Sequence, residues 1–148
     1  MNVNLKTILI VDDSPKDVEL TIAALTEKNL ANEVIVAEDG VEALDYLHRR
    51  GKFAGYRQGN PAVILLDIKM PRMNGIEVLK YLRTSPEFKF VPVIMVTSSG
   101  EEKDLVESYK LGANSYVVKP VDIVQFIDAI KLLGQYWVVI NQPPPSIK

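Results

Sequence analysis

Ala62-Val63-Ile64-Leu65-Leu66-Asp67 is an unbroken apolar run that stops at a carboxylate. A strand with one wet face alternates apolar and polar residues. A run apolar throughout fits a strand covered by helices on both faces, the habit of parallel sheets. Thr7–Val11, Val93–Thr97 and Ser115–Val118 share the same Val- and Ile-rich character. Glu33-Val34-Ile35-Val36-Ala37 is weaker and flanked by acids, which places it at a sheet edge.

Segments with helical spacing separate these runs. Ser14 and Pro15 open the first, since proline at a helix start has no N–H to waste, and Val18, Ile22 and Leu25 share one face. Val41, Leu44 and Leu47 form a second stripe after Asp39-Gly40, and Ile76, Leu79 and Leu82 a third after Asn74-Gly75. Leu105, Tyr109 and Leu111 fall in a fourth, ended by Gly112. Ile123, Phe126, Ile127 and Ile130 make the longest, extending toward Leu133 and Trp137. All five stripes read as core faces. Strand and helix in alternation imply right-handed crossovers and a doubly wound α/β fold, with five parallel strands and five helices. Arg49–Asn60 is a longer connection than the usual few residues. Residues 1–140 are expected to form one domain and 141–148 a proline-rich, non-helical tail.

Composition narrows the function. The chain has 148 residues, 47% apolar and 24% charged, with a net charge of −2. That is one ordinary domain with enough apolar material for a core. The missing basic excess argues against nucleic-acid binding. The absence of cysteine excludes disulfides, thiolate metal sites and Cys nucleophiles. No secretory leader is evident, and the longest apolar runs, Ala62–Leu66, Val91–Val96 and Tyr136–Ile140, fall short of a membrane span. A cytoplasmic protein is the expectation.

In open α/β sheets, ligands sit beyond the carboxyl ends of the strands. Strand one is followed by Asp12-Asp13, strand three ends in Asp67, strand four in Thr97, and strand five runs into Lys119-Pro120. If strands one and three are neighbours, three carboxylates crowd together, a costly arrangement without a cation. Oxygen ligands without His or Cys suit Mg²⁺. A carboxylate beside such a cation can attack phosphorus and become an aspartyl phosphate, while a lysine and a hydroxyl hold the transferred oxygens. Lys119 and Thr97 are placed for that work.

The ordered set is dense. It comprises Ile10-Val11-Asp12-Asp13, Ala37-Glu38-Asp39-Gly40-Val41-Glu42-Ala43-Leu44, Leu66-Asp67-Ile68-Lys69-Met70-Pro71-Arg72-Met73-Asn74-Gly75, Val96-Thr97-Ser98-Ser99 and Gly112-Ala113-Asn114-Ser115-Tyr116-Val117-Val118-Lys119-Pro120. From about Thr7 to Leu133 it resembles the receiver domains of two-component response regulators. The resemblance implies a flavodoxin-like sheet of order 2-1-3-4-5. It implies Asp67 as the phosphorylated residue, with Mg²⁺ held by Asp12, Asp13, Asp67 and the backbone carbonyl of Lys69. Thr97 and Lys119 would contact the phosphoryl group, and Tyr116 would couple it to the helix 4–strand 5–helix 5 face. Lys119-Pro120 matches a bond often cis in the family. Leu111 departs from the small residue usual there. The Arg49–Asn60 insertion, Tyr136-Trp137 and the proline tail are similar to stand-alone regulators paired with phytochrome-type sensor histidine kinases.

Blander readings stand beside these. Each acid alone could be an ordinary helix-start or strand-end residue, and Thr97 could merely satisfy backbone while Ser98 or Ser99 caps the fourth helix. His48 reads as solvated rather than as a phosphate carrier, and Arg49-Arg50-Gly51-Lys52 with Arg57 as a solvated run. Tyr136, Trp137, Val138, Val139 and Ile140 call for cover, either by folding back or, the favoured reading, by a homodimer through helix five. With only a short tail after helix five, no output domain is expected. The leading function is a phosphorylation switch rather than an enzyme, with slow self-dephosphorylation. The alternative is a haloacid-dehalogenase-type phosphatase, but Lys69 stands where its second aspartate belongs. A flavin carrier fits the fold, yet carboxylates would repel the flavin phosphate.

Overall fold

The computed structural model describes residues 6–27, 33–57, 59–119 and 122–145. Five parallel strands form one sheet: β1 (Thr7–Val11), β2 (Glu33–Ala37), β3 (Val63–Leu66), β4 (Val93–Thr97) and β5 (Ser115–Val118), in the order β2-β1-β3-β4-β5. The intervening helices are α1 (Pro15–Glu27), α2 (Gly40–Leu47), α3 (Gly75–Thr84), α4 (Glu102–Lys110) and α5 (Ile123–Gly134). Order, direction and helix number agree with the sequence reading.

Side chains alternate across β1, so Leu9 and Val11 face one layer while Ile8 and Ile10 face the other. The first layer carries α2 and α3, whose Leu44, Leu47, Val78, Leu79 and Leu82 meet Ile64, Leu66, Val93 and Met95. The second carries α1 and α5, with Ala24, Leu25, Phe126 and Ile130 against Val63, Leu65, Ile94 and Val96. Burial on both faces explains the unbroken apolar runs of β1, β3 and β4; β5, read the same way, is instead a half-buried edge strand with Val118 exposed.

Several expectations are corrected. The stripe assigned to α4 is not a core face: Leu105 and Tyr109 are exposed, Leu111 is half-buried, and only Ser108 of the helix is buried. The helix lies near the β5 edge, where little sheet remains to cover it. Ile123 is likewise exposed.

In the 49–60 connection Arg50, Lys52 and Arg57 are exposed, as the solvated reading expects, but Arg49 is not. Arg49 is buried at φ 52°, with its guanidinium 4.1 Å from the Tyr46 ring centre. It donates to the carbonyls of Arg57 (2.9 Å), Gly59 (2.7 Å) and Tyr46 (2.5 Å). Phe53, in a 3₁₀ turn over Gly51–Phe53, packs edge-on against Tyr46 and Tyr56. A basic run looks solvated in sequence because the carbonyls that an arginine ties together are invisible there. His48 is also tethered: its Nε2 lies 2.7 Å from the Tyr81 hydroxyl, and its ring meets Phe88 edge-on.

Helix α5 continues into a wide π-helical segment, Gln135–Ile140. Val138 is buried and Trp137 half-buried in the second layer, while Tyr136, Val139 and Ile140 remain exposed. The terminus thus folds back in part. Ile123–Ile140 forms 18 helical residues of mean hydropathy 1.4, long and apolar enough to cross a membrane by length and composition. Counting unbroken runs missed it because Asp128 and Lys131 interrupt the run. Its inner face packs on α1 and the sheet. Residues 141–145 are irregular; the rest of the tail and Pro120 lie outside the described residues.

Candidate functional site

β1 and β3 are paired, with Val11 opposite Leu66, so the residues that follow them emerge side by side. Carboxylate oxygens of Asp12, Asp13 and Asp67 lie within 4.8 Å of one another. Asp12 and Asp67 are buried, whereas Asp13 is exposed at the mouth. Backbone fixes the two buried acids: Ser14 N–H donates to Asp12 Oδ1 at 3.0 Å and Ile68 N–H to Asp67 Oδ1 at 2.8 Å.

Lys119, just past β5, reaches across the sheet ends. Its Nζ donates to Asp12 Oδ2 (2.8 Å), Asp17 Oδ2 (2.8 Å) and Asp67 Oδ2 (3.4 Å). Burial disfavours the ammonium, but the hydrogen bonds it donates to Asp12 and Asp17 outweigh that and hold Lys119 above the usual lysine range. Burial pushes the Asp12 carboxyl up, against the pull of Lys119.

Asp17 is absent from the sequence-based site. It lies four residues after Asp13, in the first turn of α1, close enough in sequence to have been considered. A contact between α1 and β5 across 102 residues left no such local signal.

Thr97 is fully buried at the end of β4, and its Oγ1 accepts the Ser99 N–H at 3.2 Å. Lys119 N–H donates to the Thr97 carbonyl at 2.8 Å, tying the two strand ends together. Ser99 is a junction the sequence reading missed. Its carbonyl accepts the Tyr116 hydroxyl at 2.7 Å, and its own hydroxyl meets Asp104 Oδ2 at 2.5 Å. Thr97, Tyr116 and α4 are thus linked through one residue. Neither Ser98 nor Ser99 is the N-cap of α4; Glu101 occupies that position without a side-chain bond.

The Asp67 loop is shaped by two glycines. A Cβ on Gly75 would lie 2.0 Å from the Asp67 carbonyl oxygen, and one on Gly40 would lie 2.5 Å from the Met73 carbonyl. Both helices therefore approach the loop as closely as bare backbone allows. Arg72, at φ 63°, grips Asp39 with Nε–Oδ2 at 2.8 Å and Nη2–Oδ1 at 3.1 Å. An open cavity of about 510 Å³ lies outside Asp13, lined also by Lys69, Asn74, Glu101 and Asp104.

This donor set fits a hard divalent cation. It is all oxygen and anionic, it opens to solvent at Asp13, and one buried ammonium balances only part of its charge. Lys69, two residues past Asp67, offers an ammonium 3.7 Å from Glu101 instead of an acid–base carboxylate, so the dehalogenase-type phosphatase finds no support.

An acidic trio and a lysine at the carboxyl ends of a 2-1-3-4-5 sheet are the arrangement of a receiver-type signalling module. The family described as "Response regulator receiver domain" matches residues 8–131, and the chain belongs to it. Receiver domains bind divalent metal in such an acidic pocket and are phosphorylated by sensor histidine kinases. Response regulator Rcp1 of Synechocystis sp. (strain ATCC 27184 / PCC 6803 / Kazusa) is 31% identical over 132 residues, 89% of this chain and 88% of Rcp1. The Mn²⁺-bound form of Rcp1 superposes with a TM-score of 0.87 at 30% identity, covering 94% of this chain and 99% of that one. The phosphorylated cyanobacterial phytochrome response regulator RcpA gives 0.88 at 32% identity, covering 95% and 99%. The bacteriophytochrome response regulator RtBRR is 56% identical with a TM-score of 0.75, covering 95% of this chain and 85% of its own.

Proposed function

We propose that the chain is a phosphorylation switch in which Asp67 accepts a phosphoryl group from a phytochrome-type sensor histidine kinase. The observation that carries it is the convergence of Asp12, Asp13 and Asp67, with the buried Lys119 ammonium bonded to Asp12 and Asp67. The phytochrome link rests on the similarity to RcpA and to RtBRR.

An oxygen of Asp67 attacks phosphorus while the P–N bond to the kinase imidazole breaks. The electron pair leaves on that nitrogen, which takes a proton. Asp12, Asp13, Asp67 and the Lys69 carbonyl would hold Mg²⁺, which when bound would neutralise charge at the phosphoryl oxygens. Lys119 and the Thr97 hydroxyl bind those oxygens. Thr97 donates its O–H to a phosphoryl oxygen while its Oγ1 stays bonded to the Ser99 N–H, so its movement is passed through Ser99 to Tyr116 and α4. Slow hydrolysis of the aspartyl phosphate resets the switch.

Residues 1–140 act as the receiver unit and 141–148 as a tail, in a cytoplasmic protein that engages no nucleic acid. A second copy covers the exposed Leu132, Tyr136, Val139 and Ile140, with Trp137 beneath them. Sedimentation of wild type and Trp137→Ala tests this, and a monomer in both contradicts it.

The deciding experiment is intact mass after incubation with Mg²⁺ and phosphoramidate. A single hydroxylamine-labile phosphoryl adduct, absent in Asp67→Asn, is expected. A folded wild type without the adduct would overturn the reading.

A further inference from the structure

Lys119 keeps a partner outside the acidic trio. Its Nζ lies 2.8 Å from Asp17 Oδ2, as close as to Asp12 and closer than its 3.4 Å to Asp67. Asp17 sits in the first turn of α1, with its N–H 3.4 Å from the Ser14 hydroxyl. Its side chain is 29% exposed, against 9% for Lys119 and 8% for Asp67. A cleft of about 230 Å³ between α1 and α5 opens beside this pair, lined by Lys16, Leu20, Ser98 and Phe126. The lysine therefore has both a carboxylate and space on the α1 side.

We infer that Asp17 is a positioning residue for Lys119. It holds the ammonium on the α1 side so that Asp12 and Asp67 stay available to a divalent cation, and it sets how readily the ammonium moves to a phosphoryl oxygen. The inference rests on the reading of Asp67 as acceptor and Lys119 as phosphoryl partner.

An ammonium has three donors, and here three carboxylates take them. Two of those carboxylates belong to the trio that suits a metal ion. A cation entering the trio competes with Lys119 for oxygens of Asp12 and Asp67. A buried ammonium stripped of partners is costly. Among the described residues, Asp17 is the carboxylate bonded to Lys119 that lies outside the trio, so the charge stays paired while the other two are engaged. The same bond opposes the next event, because Lys119 must reach toward a phosphoryl oxygen on Asp67 against the pull of Asp17. Asp17 thus acts in opposite directions on metal affinity and on phosphoryl capture.

The test is a double-mutant cycle in the full chain, with Mg²⁺ affinity read by calorimetry. Asp17→Asn is expected to weaken Mg²⁺ binding about 3- to 10-fold, the order of effect of one nearby charge. At saturating Mg²⁺, the same variant is expected to form the phosphoramidate adduct about 2- to 5-fold faster. In a Lys119→Ala background, Asp17→Asn should leave Mg²⁺ affinity where Lys119→Ala alone puts it. An equal loss in both backgrounds would overturn the inference, since Asp17 would then act by its own charge and not through Lys119. Unchanged affinity in the single variant would overturn it too. A wild type that binds Mg²⁺ but gives no adduct would instead defeat the acceptor reading of Asp67, and would be seen before any variant is compared.

Discussion

Helices α3 and α4 flank the same crevice, and they are held in opposite ways. Asn74 caps α3 reciprocally: its side chain accepts the Glu77 N–H at 2.9 Å while Glu77 Oε1 accepts the Asn74 N–H at 3.1 Å. Val78, Leu79 and Leu82 of α3 are fully buried, and Gly75 seats its first turn against the Asp67 carbonyl. Glu101 opens α4 with no capping bond, and Leu105, Val106 and Tyr109 are exposed. Its one buried side chain, Ser108, has a hydroxyl without a hydrogen-bond partner. A helix fixed by caps and core cannot move without losing several kcal/mol, whereas one held by a few contacts can shift cheaply. The acceptor loop is therefore built on the rigid helix. The junction of Thr97, Ser99 and Tyr116 leads to the yielding one.

The largest effect is expected from Gly75→Ala, whose methyl group meets the Asp67 carbonyl at 2.0 Å. Backbone must shift, and urea denaturation should register a loss of more than about 3 kcal/mol, together with impaired phosphoryl uptake. An unchanged midpoint would mean that the close approach is dispensable. Next comes the direct contrast between the helices. Leu79→Ala, with the side chain fully buried, should cost about 3 kcal/mol, and Leu105→Ala less than about 0.5 kcal/mol. Similar losses in the two variants would break the comparison.

The smallest effect concerns the Arg72 clasp on the acceptor loop. Burial works against the Asp39 carboxylate, but Arg72 and the Glu42 N–H hold its pKa below the ordinary 3.8. A carboxyl lowered in the folded state stabilises above its unfolded value, and that contribution disappears as pH falls through the folded one. Asp39→Asn should therefore cost under about 1 kcal/mol at neutral pH and nothing in strong acid. A variant whose deficit persists unchanged in strong acid would remove the ion pair from the account.

Much of this was legible because it rests on local pattern. Unbroken apolar runs gave both-face burial and the parallel sheet, and residues after strand ends gave Asp12, Asp13, Asp67, Thr97 and Lys119. Where the sequence reading failed, the cause was a partner distant in the chain. Arg49 looked like a solvated charge because its carbonyl acceptors at Arg57 and Gly59 are fixed only by the fold. Asp17 went unnoticed because Lys119 reaches it from β5. The α4 stripe had the right spacing, but spacing says only that a helix has an apolar face, not that sheet remains to cover it. Gly40 and Gly75 stood in the sequence only as markers before helical stripes, although the fold needs them to leave room for the Met73 and Asp67 carbonyls.

Hydrogen exchange of wild type with and without Mg²⁺ and phosphoramidate tests the central claim most directly, with Asp67→Asn as control. The amides of α4 should exchange faster than those of α3 in the resting protein. On phosphorylation their protection should change, with that of Ser99 and Tyr116, while α3 stays as it was; Asp67→Asn should show no such change. A response confined to α3, with α4 and the Ser99 junction unaffected, would contradict the claim that Asp67 signals through the loosely held helix.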